Sequence, residues 1–137
     1  MLLLFAANAV AQTNTLSGKL KGEPASAITL KVTLNKKSEP ARVSGIKVTN
    51  ATYVCTDRTT GTISKNLPGS AKVLKSGTGT ETSWVFNMQF NPATQTSFSG
   101  ELNRRGTRVT GGVTYSFVKD AETENVCEFA KGFTAKK

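Results

Sequence analysis

Two cysteines, Cys55 and Cys127, stand 72 positions apart in a chain that alternates apolar and polar residues and contains no histidine. In an oxidising compartment an even pair of cysteines joins. Closing a loop of that length stabilises a fold by roughly 4 kcal/mol on the chain-entropy argument. Two thiols without imidazole offer too few soft ligands for zinc, so no metal centre is expected. The reading is one long-range disulfide, with two buried free thiols as its alternative.

The alternation fixes the fold class. Ile28, Leu30, Val32 and Leu34 fall on one face, with Thr29, Lys31 and Thr33 on the other, which is a half-buried strand. Trp84, Phe86, Met88 and Phe90 repeat the pattern and predict a central strand. Phe98, Gly100 and Leu102 lead through Asn103-Arg104-Arg105-Gly106 to Val109, Gly111, Val113, Tyr115 and Phe117. That is a hairpin whose Gly106 suits a positive φ. Gly45 interrupts Val43, Ile46 and Val48 as a β-bulge does. Residues 56–80 are rich in Thr, Gly, Ser and Lys, and Leu67-Pro68-Gly69 is a turn signal; loops around short strands near Ile63 and Val73 are expected.

No window shows helical periodicity with start and stop signals. The prediction is an all-β domain of about eight strands, an antiparallel β-sandwich, with a closed antiparallel β-barrel as the alternative. Trp84 is expected near the disulfide. Thr15-Leu16-Ser17-Gly18-Lys19-Leu20 and Ser97-Phe98-Ser99-Gly100-Glu101-Leu102 share Ser-Gly-x-Leu, a weak echo that suggests two similar hairpins.

Residues 1–11 read as the remnant of a secretory signal, an apolar run followed by Ala7-Asn8-Ala9 and Ala9-Val10-Ala11, leaving residues 12–137 as one domain. No positive charge precedes the run, which suggests a natural start further upstream. The run is far shorter than the ~20 residues that span a bilayer, so no membrane span is expected. All 18 Lys and Arg and all 9 Asp and Glu lie at or after Lys19, so the net charge of +9 belongs to the domain. Such an excess attracts polyanions in a salt-dependent way. Scattered basic residues also serve plain solubility.

The missing histidine removes Ser-His-Asp and Cys-His catalysis, and no phosphate-binding glycine loop precedes a helix. The chain is read as non-enzymatic and without cofactor. Asp120, Glu122, Glu124 and Glu128 are the only place to seek paired carboxylates or a calcium site, but the spacing fits no EF-hand, and a solvated turn is the simpler account. The candidate binding residues are Arg104, Arg105 and Arg108, because guanidinium groups on a short rigid hairpin can grip phosphate or carboxylate. Nucleic acid is disfavoured: stacking needs exposed aromatics, and Phe86, Phe90, Phe98, Tyr115 and Phe117 follow the inward alternation. Asn50-Ala51-Thr52 is a formal glycosylation sequon.

Gly45-Ile46-Lys47-Val48 leading to Tyr53-Val54-Cys55, then Phe98-Ser99-Gly100 to Val109-Thr110-Gly111-Gly112-Val113, then Cys127 to Phe133-Thr134-Ala135, resembles the layout of small secreted bacterial β domains of uncharacterised function. The resemblance covers residues 27–137 and implies export, a β fold and a disulfide; it transfers no catalytic or binding residue. The expected role is a non-catalytic secreted or cell-envelope module, attracted to an anionic polymer by its charge. The alternative is a secreted protein that inhibits an extracellular hydrolase through the 103–106 loop.

Overall fold

The computed structural model describes residues 12–91 and 96–137, with residues 68, 90 and 91 described by their backbone alone. The expected leader, residues 1–11, lies outside them. The described chain forms β1 (Thr13–Leu20), β2 (Ala27–Leu34), β3 (Pro40–Cys55), β4 (Thr60–Lys72), β5 (Leu74–Ser76), β6 (Ser83–Asn91), β7 (Thr96–Leu102), β8 (Arg108–Asp120) and β9 (Asn125–Lys136). A three-residue 3-10 turn, Gly79–Glu81, is the only helical element among the described residues. The strands make one antiparallel sheet in the order β4-β3-β2-β1-β9-β8-β7-β6-β5.

The sheet folds over on itself. β4 leads through Val73 into β5 and so passes from one layer to the other, while β4 and β6 lie against each other. No ladder joins β4 to β6 among the described residues, so the result is a sandwich rather than a closed barrel. Alternation then does what the sequence pattern demands. Leu16, Ile28, Leu30, Val32, Val43 and Val48 fill the core from one layer, and Phe86, Met88, Phe98, Val109 and Val113 from the other. Rings of Phe86, Phe98 and Phe133 stack at centroid distances of 5.3 and 5.0 Å. Each such contact is worth about 0.5–1.5 kcal/mol beyond the apolar area it buries.

Gly106 adopts φ 62° in the β7–β8 connection, as its place in the sequence suggests, and the hairpin tip packs onto Leu34, Val32 and Pro40. Gly45, at φ 60°, marks a break in the β2–β3 and β3–β4 registers. The region around Leu67-Pro68-Gly69 differs from expectation. It is no turn: β4 runs through it as one strand, and Pro68 and Gly69 are the extra residues opposite the Gly45 bulge. β4 is an edge strand there, so a residue without an N–H breaks no ladder on its free side.

A fork organises the middle of the sheet. β3 pairs with β2 along its first part and with β9 at Val54 and Cys55, whereas β9 joins β1 only from Phe133 onward. The β1–β2 hairpin is therefore wedged between β3 and β9. Its turn is tied to both sides: Lys21 N–H donates to the Gly132 carbonyl at 2.8 Å, and Thr52 N–H donates to Glu23 Oε1 at 2.7 Å. The Cys55–Cys127 disulfide closes the base of the fork, with the two residues directly opposite and their Cα atoms 3.9 Å apart.

Trp84 does not pack there. It pairs with Lys75 and Leu102, and the register through Val109 reaches β9 at Ala135, most of a strand away from Cys127. Tyr53 and Phe117 lie beside the bridge instead, their rings meeting edge to face at 5.1 Å. Phe86 and Phe98 are buried as expected, but Tyr115 and Phe117 are only half-buried. Beyond Thr114, β8 pairs with β9 alone among the described residues, so fewer strands cover that stretch.

Candidate binding surface

The outward side of the sheet is built by register. Arg108 of β8 lies opposite Lys136 of β9, Lys136 opposite Ser17, Ser17 opposite Thr29, and Thr29 opposite Lys47 of β3. Neighbouring rows add Lys31 opposite Thr15 and Ser44, and Arg42 opposite Thr33 and Lys72. Strands β1 to β4 contain no aspartate or glutamate at all. Lys19, Lys31, Arg42, Lys47, Lys72, Arg108 and Lys136 are all exposed, on a ground of threonine and serine. None of these side chains forms an ion pair among the described residues, so the positive potential extends outward over roughly a Debye length, about 8–10 Å at physiological salt.

Five of the nine acidic residues gather at the other end. Asp57 sits in the β3–β4 connection, Asp120, Glu122 and Glu124 around the β8–β9 connection, and Glu128 beside them on β9. The acids are used locally: Asp120 Oδ1 accepts from Glu122 N–H at 2.9 Å, and Glu128 Oε2 accepts from the Ser116 hydroxyl at 3.2 Å. Among the described residues no three His, Cys, Asp or Glu side chains converge to hold a metal.

Asp57 belongs to a knot next to the disulfide. Asn125 is buried; its Oδ1 accepts from the Thr56 hydroxyl and its Nδ2 donates to Asp57 Oδ2, both at 2.9 Å. Hydrogen bonds from the side chain and backbone of Thr59, assisted by Lys119, hold the Asp57 carboxyl below its ordinary value. The knot fastens the β3–β4 turn to the start of β9.

The candidate arginines serve two surfaces. Arg104 lines a cleft of about 570 Å³ with Glu39, Lys75, Thr80, Thr82 and Trp84. Lys75 is already engaged there, paired with Glu39 at 3.3 Å and lying 5.8 Å from the centre of the Trp84 ring. Arg105 is exposed while its carbonyl accepts from Asn14 Nδ2 at 3.4 Å, a bond that braces the loop. Arg108 faces outward on the cationic row. The lysines of that row escape a search for basic clusters because they are distant in sequence, and only strand register brings them together.

No helix among the described residues is long and apolar enough to cross a membrane. Neither a family model, nor a curated protein, nor a solved structure matches the chain.

Proposed function

We propose that this chain is a non-catalytic module that works outside the reducing cytosol, in a secreted or cell-envelope setting, and holds an anionic polymer along its cationic face. The acid-free outer side of β1 to β4, continued by Lys136 and Arg108, carries this reading. Polyanion binding by such a face is driven by release of counterions and weakens steeply with salt. The Cys55–Cys127 disulfide supports an oxidising location.

The test is retention of the purified protein on immobilised heparin, teichoic acid and DNA across a salt gradient. The wild type is expected to bind at least one and elute well above physiological salt. A Lys31→Gln, Lys47→Gln, Lys136→Gln variant should elute much earlier with an unchanged melting temperature. Absence of salt-dependent retention on all three surfaces overturns the reading.

A second reading, inhibition of an extracellular hydrolase, draws on the braced 103–106 loop, where Asn103 Oδ1 accepts from Thr107 and Arg108 N–H groups and Asn14 grips the Gly106 carbonyl. A panel of secreted proteases and glycosidases assayed with stoichiometric protein distinguishes it, since a polymer-binding module leaves every member of that panel unaffected.

A further inference from the structure

We infer that a groove crossing the outward side of β5, β6, β7, β8, β9 and β1 seats a linear anionic glycan. The inference deepens the polymer-binding reading and rests on it. Two clefts, of about 470 and 540 Å³, meet at Thr110. The first is lined by Leu74, Val85, Asn87, Ser99 and Glu101, the second by Lys19, Lys21, Gly132 and Thr134. Register sets their lining residues on one row. Leu74 pairs with Val85, Val85 with Glu101, Glu101 with Thr110, Thr110 with Thr134 and Thr134 with Lys19, an unbroken row over six strands. At ~4.8 Å per strand step the groove is roughly 24 Å long. Arg108 and Lys136, two positions along from Thr110 and Thr134, border it with positive charge.

The chemistry selects the occupant. Asn87, Ser99, Thr110 and Thr134 present amide and hydroxyl groups suited to sugar hydroxyls, and Lys19, Lys21, Arg108 and Lys136 suit carboxylate, sulfate or phosphate substituents. Glu101 makes no ion pair among the described residues. Its carboxylate can accept hydrogen bonds from sugar hydroxyls. Stacking surface for bases is absent from the groove, because Phe86 and Phe133 beneath it are each only 3% exposed.

The floor adds a separate argument. Gly112 and Gly132 pair directly, next to Ser99. A Cβ at the neighbouring Gly111 would lie 2.1 Å from the Ser99 carbonyl oxygen, so packing demands that glycine. At Gly112 the nearest atom to an added Cβ is the Lys131 carbonyl oxygen at 3.8 Å, at Gly132 the Gly111 oxygen at 3.6 Å, and neither residue has a left-handed φ. Glycine weakens a strand, and the fold requires neither of these two. Gly132 lines the second cleft and Gly112 lies in register between it and Ser99 of the first, so their bare backbone leaves this stretch open to a chain that lies close against the sheet.

The deciding experiment compares the wild type with Gly112→Thr, Gly132→Thr and the double variant, using titration of the sugar polymers polygalacturonate and heparin, with teichoic acid and single-stranded DNA as phosphodiester contrasts. The melting temperature should hold or rise, since threonine favours strands. Affinity for the best acidic glycan should fall at least tenfold, while Lys36→Gln and Arg58→Gln, exposed in connections outside both the groove and the cationic face, leave it within about twofold. An undiminished affinity in the double variant overturns the groove while leaving the polymer reading intact. DNA bound as tightly as the glycans and lost equally on filling the floor overturns the glycan assignment. No binding by the wild type to any of the four overturns both readings.

Discussion

Cys55 and Cys127 face each other where β3 and β9 converge, so the disulfide clamps the base of the fork that receives the β1–β2 hairpin. Its loop spans 72 positions, and on the chain-entropy argument its removal costs about 4 kcal/mol. A Cys55→Ser, Cys127→Ser variant is expected to lose that much in urea unfolding. Hydrogen exchange should accelerate first in residues 51–56 and 125–129, where the fork opens. Uniform acceleration across the sheet would contradict the clamp.

Glu23 holds the hairpin turn against the other arm of the fork. Its Oε1 accepts the Thr52 N–H, and its carbonyl accepts the Ser26 hydroxyl at 2.6 Å. Truncation by Glu23→Ala removes the first bond and should destabilise the protein by about 1 kcal/mol. Its Oε2 is buried without a partner, a desolvation cost that truncation also relieves, so the measured loss should not exceed that figure. Urea midpoints at constant m-value check it.

The strands that alternate cleanly were legible because each has one buried face: Ile28 to Leu34, Trp84 to Met88 and Val109 to Val113 all point as their period dictates. Pro68 misled because a proline signals a turn unless the strand is at an edge, and edge position is a property of the whole sheet. Trp84 was misplaced for a related reason, since alternation gives the face but not the end of the sandwich. The echo of Ser-Gly-x-Leu has a local counterpart: Leu20 and Leu102 are both buried, and Gly18 and Gly100 both pass close to a carbonyl oxygen of the next strand. The cationic face was hidden because Lys31, Lys47 and Lys136 meet only through register. The lack of acid in β1 to β4 was, by contrast, readable from the sequence.

Gly106 lies where the β7–β8 hairpin plugs one end of the core. Its φ is 62°, and an added Cβ would stand 2.8 Å from Leu34 Cδ2 and 3.0 Å from Val32 Cγ1. Gly106→Ala combines left-handed strain with overpacking, and an order of 2–4 kcal/mol is expected. Gly22, also left-handed at φ 77° but with nothing within 4 Å, is the control: Gly22→Ala should lose only about 1 kcal/mol, the backbone part alone. Equal losses at the two sites would remove the packing argument.

Asp57 gives the knot beside the disulfide a pH dependence whose sign follows from its lowered carboxyl pKa. Hydrogen bonds from Thr59 favour the charged form in the folded state, so the folded pKa lies below the ordinary value of 3.8. The unfolded chain therefore takes up a proton first as pH falls. The contribution is complete above about pH 4–5, declines as pH drops past the unfolded pKa, and is gone once the folded carboxyl is itself protonated. Asp57→Asn carries no such charge. The difference in melting temperature between wild type and Asp57→Asn should be constant from pH 8 to 5 and shrink steadily below pH 4. Because Asp57 is fully exposed, the effect should also diminish in high salt. A gap that widens on acidification would show that Asp57 is destabilised, not stabilised, by its neighbours.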